Sequence, residues 1–201
     1  MFRQTLIIMV KEPRPGRVKT RLAADIGRID ATWWFRHQVA RLIRRLGRDR
    51  RWRTLLAVAP DTALVARSWP MDIPRMGQGA GDLGARMRRV LIAAGPGPAV
   101  LIGGDIPGVT PAHIADAFRA LGSAPMVFGP AADGGYWLVG CRGGAARKAG
   151  FLENVRWSHE ETLTDSMTSA PGVPALVSVL QDVDTGADLR ALSQNARPNS
   201  R

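Results

Sequence analysis

The feature that most constrains the fold is an alternation of short apolar runs with helix-forming segments along the whole chain. Residues 5–10 form an uninterrupted run of apolar and β-branched side chains, which is typical of a parallel strand buried on both faces. Residues 55–59 and 99–102 repeat the pattern, and a weaker strand is predicted just before Gly77. Strands that alternate with helices favour a mostly parallel sheet covered on both faces. We therefore expect an α/β fold, arranged as a three-layer α/β/α sandwich.

The later strands predict that this sheet is mixed. Residues 126–128 and 136–139 read as two strands that flank the turn at 133–135. Strands joined by so short a connection pair in antiparallel fashion. A last strand is predicted at residues 177–180, followed by a short helix. The sequence thus predicts a mostly parallel sheet with one antiparallel element.

Capping signals predict where several helices begin. Asp30 precedes a segment whose apolar side chains recur at helical spacing, and Thr110 is followed by a proline at the first helical position. Ser158 and Glu161 have the spacing of a capping box that opens a late helix. Another helix is expected over residues 82–94. These helices lie between the predicted strands, as the layered fold requires.

Length and composition indicate one domain over residues 1–192, with a tail at 193–201 that we expect to be frayed. Hydrophobic residues make up 45% of the 201 residues, which is enough for a sizeable core. The longest apolar runs are too short to span a bilayer, and no small-residue cleavage site of a signal peptide follows the N-terminus. The one cysteine, Cys141, cannot form an internal disulfide. We therefore expect a cytoplasmic protein without a membrane span.

The net charge of +11 raises the alternative of a nucleic-acid-binding protein. Such a protein interleaves aromatic and basic side chains, whereas Trp33 and Trp34 cluster at one end of the arginine-rich helix. Most arginines are therefore expected on solvated helix faces. Only three of the 28 basic residues are lysines, yet Lys11 and Lys19 share one loop. Lysine is a compact point charge suited to a phosphate oxygen, so this loop is the more informative basic feature.

The loop after the first strand predicts a phosphate-binding site. Ligands of open α/β sheets bind beyond the carboxyl ends of the strands, which is where this loop lies. Lys11, Lys19 and Arg21 supply positive charge there, and we predict that they act in catalysis by stabilising a departing phosphate group. The alternative is an exposed basic loop with no partner. Its neighbouring residues predicted to contact the nucleotide are Pro15, Gly16 and Thr20.

A second glycine-rich turn leads into the helix predicted at residues 82–94. Glycines at a helix N-terminus permit close contact with a base, ribose or phosphate, although an ordinary tight turn is the alternative. The sequence lacks the G-x-x-x-x-G-K-[ST] spacing of a P-loop and has no G-x-G-x-x-G after the first strand. These absences exclude a P-loop NTPase and disfavour a dinucleotide-binding dehydrogenase. The residues of this turn assigned to nucleotide binding are Gln78, Gly79, Gly81, Asp82 and Gly84.

Carboxylates after two predicted strands indicate a divalent-metal site. Asp105 follows the strand at 99–102, and Asp182 and Asp184 follow the last strand, where alternate side chains point the same way. Magnesium prefers one or two carboxylates together with substrate phosphates, so we predict that these residues hold Mg²⁺ or Mn²⁺. The alternative is that the three aspartates only cap turns.

The turn between the antiparallel strands is predicted to bind the acceptor, because glycines hold a carboxylate open there. Its residues are Asp133, Gly134, Gly135 and Tyr136. The three histidines are scattered over helical segments, and we assign none of them a catalytic role. They are His37, His113 and His159.

Together these segments resemble a bacterial family of GT-A-like transferases in the nucleotide-diphospho-sugar transferase superfamily. The family is related to the phospholactate guanylyltransferases and, more distantly, to the molybdenum-cofactor guanylyltransferases. The resemblance implies a seven-stranded mixed sheet, Asp105 as a metal ligand, and the loop from Lys11 to Arg21 as the phosphate grip. The segments that carry it span nearly the whole chain: 11–22, 78–87, 102–111, 129–140 and 182–189.

The leading functional hypothesis is a metal-dependent nucleotidyltransferase. A small anionic acceptor would attack the α-phosphate of a nucleoside triphosphate, and pyrophosphate would leave. The alternative is a glycosyltransferase that uses a nucleotide-sugar, with Asp133 or another carboxylate as the base. A nucleic-acid-binding protein is the remote alternative. The sequence indicates no particular oligomeric state.

Overall fold

The computed structural model describes residues 3–195, which form a three-layer α/β/α sandwich. The strands are β1 (Thr5–Lys11), β2 (Arg53–Ala59), β3 (Arg75–Gly77), β4 (Ala99–Gly103), β5 (Met126–Pro130), β6 (Tyr136–Cys141) and β7 (Ala175–Leu176). The α-helices are α1 (Thr20–Ile26), α2 (Arg28–Leu46), α3 (Leu83–Ala93), α4 (Pro111–Ala120), α5 (Thr162–Ser169) and α6 (Gly186–Asn195). Short 3₁₀ segments lie at Asp61–Val65 and Ala145–Arg147.

The strands form one mixed sheet in the order β3-β2-β1-β4-β6-β5-β7. β6 is antiparallel to both β4 and β5, whereas the other neighbouring strands pair in parallel. The predicted mostly parallel, mixed sheet is confirmed, and so is the antiparallel pair around residues 126–139. Because β6 runs against its neighbours, its amino end lies at the same edge as their carboxyl ends. This edge carries the candidate site.

β1 lies inside the sheet and is buried on both faces, as its continuous apolar run predicts. Leu6, Ile8 and Val10 pack into the core that α2 and α4 cover, and Ile7 packs into the opposite core with α3. Successive side chains of a strand point to opposite faces, so one strand contributes to both cores. Each fully buried aliphatic side chain contributes about 1.5–3 kcal/mol to folding. The position of β1 is therefore firmly fixed, and so is the point at which the following loop begins.

The predicted start of the second helix is wrong. α2 begins at Arg28 after Gly27, so Asp30 lies within its first turn and is not the N-cap. Gly27 adopts a φ of 89°, which glycine tolerates, and this lets α1 pass directly into α2. α1 itself was not predicted, because it is short and buries only Leu22 within its span.

The capping box predicted at Ser158 is also wrong. α5 begins at Thr162 with Glu161 in the N-cap position, so Ser158 lies three residues before the cap. Ser158 instead adopts a φ of 58° within a turn that approaches the candidate site. The predicted cap of α4 is present: the hydroxyl of Thr110 accepts a hydrogen bond from the backbone N–H of His113 at 3.4 Å. The His113 ring completes that cap, which gives it a structural role.

The last strand is displaced from its predicted place. β7 comprises Ala175–Leu176, whereas residues 177–180 form an extended segment that keeps only a single bridge, between Leu180 and Ala131. Val179 is 63% exposed, so this segment lacks the burial that defines the inner strands. The apolar residues of the sequence run through both 175–176 and 177–180, so they did not show which of the two segments pairs in the sheet.

At the C-terminal end, α6 continues to Asn195, so residues 193–195 of the predicted tail are helical. The rest of that tail, 196–201, lies outside the described residues. One domain over residues 1–192 stays a prediction. Within residues 3–195, no helix combines the length and the apolar character needed to cross a membrane.

Candidate active site

A cleft of about 650 Å³ opens at the edge where the parallel strands end. Its walls come from the end of β1, the loop before α1, the loop after β4, the amino end of β6 and the segment before α6. A cleft of this size is within the range of small-molecule sites. Its position is also the one at which open α/β sheets bind ligands. The sequence placed its candidate residues at this edge for the same reason.

Three aspartates meet in the cleft. Oxygen atoms of Asp105, Asp182 and Asp184 lie within 4.8 Å of one another. Asp105 comes from the loop after β4, and the other two come from the segment before α6, so the fold joins distant parts of the chain. The side chains of Asp105 and Asp184 are 33% and 31% exposed. Three accessible carboxylates are a hard, all-oxygen ligand set, and these residues therefore fit a divalent cation such as Mg²⁺ or Mn²⁺.

Lys19 reaches into this acidic cluster. Its Nζ lies 2.8 Å from Oδ2 of Asp105 and 2.6 Å from Oδ1 of Asp184, and its side chain is only 5% exposed. Burial of the ammonium opposes its charge, but the two carboxylates outweigh burial, and the pKa of Lys19 is raised. Lys19 also has a φ of 46°, an uncommon backbone conformation for a residue with a side chain. The loop therefore holds a charged ammonium among the acids.

The other two predicted catalytic cations line the same cleft. Nη1 of Arg21 lies 3.1 Å from Oδ2 of Asp184, and the Arg21 side chain is 66% exposed. Lys11 stands at the end of β1. The structure thus brings together the three basic residues that the sequence singled out. Two of them contact Asp184 directly, a pairing that the sequence did not indicate.

Asp182 holds its proton more tightly than an ordinary aspartic acid. Burial, and next the negative charge of Asp184, raise the pKa of Asp182 to about 6. The positive charge of Lys19 acts in the opposite direction. A carboxyl in this position is sensitive to any added cation, because positive charge stabilises its ionised form.

Asp188 and Asp25 fix the backbone that carries Asp184. Oδ2 of Asp188 accepts hydrogen bonds from the backbone N–H groups of Asp184 at 3.0 Å and Thr185 at 2.8 Å. Oδ2 of Asp25 accepts from the N–H of Gly186 at 2.7 Å. These contacts tie the start of α6 to α1, and so they hold Asp184 beside Lys19.

The glycine-rich turn before α3 has mainly structural contacts. Gln78 lines the cleft, but its side-chain amide is buried and donates to the backbone oxygens of Val10 at 3.1 Å and Ala57 at 2.8 Å. Asp82 caps α3 by accepting from the N–H of Ala85 at 2.8 Å. A Cβ at Gly84 would collide with the Leu152 carbonyl oxygen. Predicted nucleotide contacts that lie outside the cleft lining are Pro15, Gly16, Gly79, Gly81, Asp82 and Gly84, whereas Thr20 lies within it.

The turn before β6 presents a carboxylate to the cleft. Oδ1 of Asp133 accepts from the N–H of Gly135 at 3.0 Å, and both residues line the cleft. Gly134 packs against the backbone of Glu160 with a φ of 85°, where a Cβ would not fit. Tyr136 also lines the cleft, and burial raises the pKa of its hydroxyl. Tyr136 therefore keeps its proton and contributes an uncharged hydroxyl to the cleft wall.

The sequence interpretation missed one wall of the cleft. Arg86, Trp157 and His159 line it, and Nε of Arg86 donates to the carbonyl of Gly81 at 2.8 Å. The backbone N–H of Glu161 donates to Nδ1 of His159 at 3.1 Å, which leaves Nε2 as the donor of the neutral ring. No sequence motif indicates the turn that brings Trp157 and His159 to the cleft. Three residues of this turn other than glycine have positive φ: Leu152, Asn154 and Ser158.

A protein-family model described as "Uncharacterized protein conserved in bacteria (DUF2064)" matches residues 42–159, more than half of the chain. The chain belongs to the DUF2064 family. The matched region contains Asp105, Asp133 and the turn that ends at His159. Comparison with curated proteins gives no match.

Solved structures share the fold of this DUF2064 chain. A protein from Desulfovibrio desulfuricans G20, provisionally described as a nucleotide-diphospho-sugar transferase, is 27% identical with a TM-score of 0.87, over 100% of this chain and 90% of that one. Rv0371c from Mycobacterium tuberculosis H37Rv, in complex with manganese, is 21% identical with a TM-score of 0.58, over 97% and 100%. CMP:2-keto-3-deoxy-manno-octonic acid synthetase, in complex with CTP, is 11% identical with a TM-score of 0.59, over 98% and 100%.

The resemblance inferred from the sequence segments is confirmed at the level of family and superfamily. The DUF2064 chain has the GT-A-like fold, with the implied seven strands in one mixed sheet. It is an enzyme of the nucleotide-diphospho-sugar transferase superfamily.

Proposed function

We propose that this DUF2064 protein is a metal-dependent nucleotidyltransferase whose donor is a nucleoside triphosphate. An oxygen of a small anionic acceptor bonds to the α-phosphorus, the bond from that phosphorus to the bridging oxygen of the β-phosphate breaks, and pyrophosphate leaves. The observation that carries the proposal is the interleaving of cations and acids at one cleft edge, where Lys19 and Arg21 both contact Asp184. Such chemistry depends mainly on positioning and charge stabilisation.

The acids of the cleft would hold the metal and, through it, the donor phosphates. Asp105, Asp182 and Asp184 form an all-oxygen set that fits Mg²⁺ or Mn²⁺. When bound, such an ion neutralises phosphate oxygens as a Lewis acid. The manganese complex of Rv0371c and the CTP complex of the synthetase, both of the same fold, support this assignment.

The cations around the connection from β1 to α1 would stabilise the negative charge of the departing pyrophosphate. Lys11 and Arg21 line the same cleft as the acids, and Arg21 is largely exposed, so its guanidinium can turn toward an incoming phosphate. In the metal-free site Lys19 is held by Asp105 and Asp184 and stays charged, and a metal on those oxygens would leave its ammonium free for the phosphates. Three cations around the connection from β1 to α1 exceed what a diphosphate with a metal requires, which favours a triphosphate donor.

The opposite wall would bind the acceptor. Arg86 supplies a positive charge, and the neutral His159 ring supplies an N–H donor at Nε2. Trp157 and Tyr136 give this wall an aromatic surface. An anionic group suits such a wall, because a guanidinium binds carboxylate and phosphate oxygens well. The proposed acceptor is therefore a small anionic molecule.

A glycosyltransferase with a nucleotide-sugar donor is the second candidate, and Asp133 is the observation that favours it. An inverting glycosyl transfer needs a base on the acceptor side, and Asp133 presents a carboxylate to the cleft there. The 27% identical protein from Desulfovibrio desulfuricans G20 carries a description that fits this candidate. A nucleic-acid-binding function is disfavoured, because the cleft combines acids with its cations.

Pyrophosphate release tests the proposal directly. Purified protein is incubated with Mg²⁺ or Mn²⁺, each nucleoside triphosphate in turn, and a panel of phosphorylated carboxylic acids. We expect acceptor-dependent pyrophosphate and a new nucleotide product. If every triphosphate fails to bind while a nucleotide-sugar binds and is hydrolysed, the glycosyltransferase takes its place. The Lys148→Met variant is a matched control for lysine changes in the cleft, since Lys148 lies outside its lining.

A further inference from the structure

A second cavity, of about 310 Å³, lies beside α2 and takes no part in the proposed catalysis. We call it the α2 groove. Its floor is apolar and its rim is basic, and within the described residues its lining contains no acid. The apolar side chains that line it include Phe35, Val39, Ile43 and Trp69, and its arginines are Arg36, Arg44 and Arg67.

The basic rim of the α2 groove is not neutralised by the protein. Among residues 3–195, Arg36, Arg44 and Arg67 form no salt bridge. Nearby, Arg48 approaches Asp72 at 3.8 Å, but these side chains are 82% and 60% exposed, so the pair is weak. Like charges grouped without partners favour an anionic ligand or surface.

Exposed apolar side chains flank the same groove. Met71 is 97% exposed and directly follows the segment 67–70 that forms one wall, and Val65, two residues before that segment, is 88% exposed. On α2, Trp33 is 53% exposed, one turn before Arg36, whose guanidinium lies 5.7 Å from the Trp33 ring centroid. Exposed apolar side chains near a basic rim fit a partner surface that is both anionic and apolar.

We propose that the α2 groove, with Met71, Val65 and Trp33, docks the protein on an anionic lipid surface. Arginines attract anionic headgroups, and protruding apolar side chains gain free energy by entering the boundary with the acyl chains. A single-stranded nucleic acid would instead require several aromatic platforms, and among the described residues Trp33 is the one aromatic side chain that is more than half exposed. The inference does not depend on the reaction proposed above.

The groove lies next to the catalytic cleft. Phe35 lines both cavities, and Pro13 of the first loop lines the groove. Docking through this face therefore brings the cleft mouth beside the lipid surface. It also gives a role to Arg36 and Arg44 of α2, which the cleft chemistry leaves unused.

Vesicle sedimentation tests the docking surface with the full chain. The probes are vesicles of phosphatidylcholine alone and vesicles of phosphatidylcholine mixed with phosphatidylglycerol. The test variant is Arg36→Gln/Arg44→Gln/Arg67→Gln. Its matched control, Arg3→Gln/Arg142→Gln/Arg147→Gln, removes the same charge. Arg3 precedes β1 and Arg142 follows the antiparallel β6, so these two lie at the edge of the sheet opposite the cleft.

We expect binding to the anionic vesicles and little binding to the neutral ones. The groove variant should lose about tenfold or more in affinity, because each arginine near such a surface contributes measurably, while the control changes much less. Val65→Ser/Met71→Ser should also weaken binding at unchanged charge. Thermal unfolding of each variant shows that it is folded.

Three results would overturn the proposal. Equal losses of affinity in the groove variant and its control would show that binding depends on net charge and not on the groove. Full binding by Val65→Ser/Met71→Ser would show that the exposed apolar side chains do not contribute. Absence of vesicle binding by the wild-type chain would show that the α2 groove does not dock on lipid. A dimer in sedimentation velocity that the groove variant dissolves, without vesicle binding, would assign the face to a second copy of the chain.

Discussion

The ammonium of Lys19 lies 2.8 Å from Oδ2 of Asp105, inside the cluster of acids that fits a divalent cation. The same nitrogen lies 2.6 Å from Asp184, so Lys19 supplies the positive charge that the carboxylates need when no metal is bound. An ammonium and a metal ion cannot occupy one position. We therefore infer that metal binding and the Lys19 contacts compete for the same oxygens.

This competition predicts the behaviour of Lys19→Met, which removes the charge and keeps an unbranched side chain. The free protein should bind Mn²⁺ about tenfold more tightly or better, because the carboxylates lose their internal counter-ion. Mn²⁺ titration by electron paramagnetic resonance measures this affinity, with Lys148→Met as control. The same variant should bind nucleotide more weakly, and that loss should shrink as salt rises. Unchanged or weaker Mn²⁺ binding would contradict the inferred competition.

Asp105→Asn should abolish metal-dependent nucleotide binding, with a loss of about a hundredfold or more in affinity, because one charged oxygen ligand becomes a neutral amide. Its free energy of unfolding should change by no more than about 1 kcal/mol, because Lys19 keeps its contact with Asp184 at 2.6 Å. Calorimetric titration with and without Mg²⁺, together with urea unfolding, measures the two quantities. Asp116→Asn on α4 is the control, since this carboxylate lies outside the cleft lining. Nucleotide binding that remains Mg²⁺-dependent in Asp105→Asn would remove this residue from the metal site.

The raised pKa of Asp182 predicts that the free energy of unfolding depends on pH. Its folded pKa is about 6 against an ordinary value of 3.8, so its contribution to stability is complete below the ordinary value and is lost as pH rises through 6. Asp182→Asn removes the ionisable group. In the presence of a chelator, the variant should therefore be more stable than wild type above pH 6, by an amount on the order of 1 kcal/mol after allowance for the partial exposure of the side chain. The difference should fade toward pH 4.

Urea unfolding between pH 4 and pH 8 measures the effect. Glu153→Gln is the control, because the Glu153 side chain is exposed. A variant that is less stable than wild type at pH 8 would show that ionised Asp182 is stabilised by its surroundings. The sign of the difference, and not only its size, is therefore diagnostic.

The sequence predicted the sheet and the edge that carries the site, because both follow from local patterns. The apolar run of β1 required burial on both faces, and the rule that ligands bind at strand ends placed Lys11 and Asp105 at one edge. The contact between Lys19 and Asp184 joins residues 165 positions apart, and no local pattern encodes such a pairing.

The wall around Trp157 could not be predicted for a different reason. Its turn depends on positive φ at Leu152 and Ser158, which local propensity disfavours and tertiary packing imposes. Gly84 shows that packing: it lies so close to the Leu152 carbonyl and the Trp157 ring that a Cβ would collide with both. The nucleotide-binding role assigned to Gly84 from the sequence stays a prediction; in the structure the absence of a Cβ at Gly84 lets this wall pack against α3.

Asp133→Asn decides between the two candidate reactions. In nucleotidyl transfer to an acceptor that is already anionic, Asp133 orients the turn and removes no proton that limits the rate. Asparagine can still accept the hydrogen bond from Gly135 N–H, so we expect less than about a tenfold loss of pyrophosphate release. If Asp133 is instead the base of an inverting glycosyl transfer, loss of the carboxylate should lower the rate by about 10²–10⁴-fold. Single-turnover rates with a triphosphate and with a nucleotide-sugar, each in wild type and variant, separate these outcomes. A large loss confined to the nucleotide-sugar reaction would transfer the assignment to the glycosyltransferase, because only that reaction needs the carboxylate to take a proton.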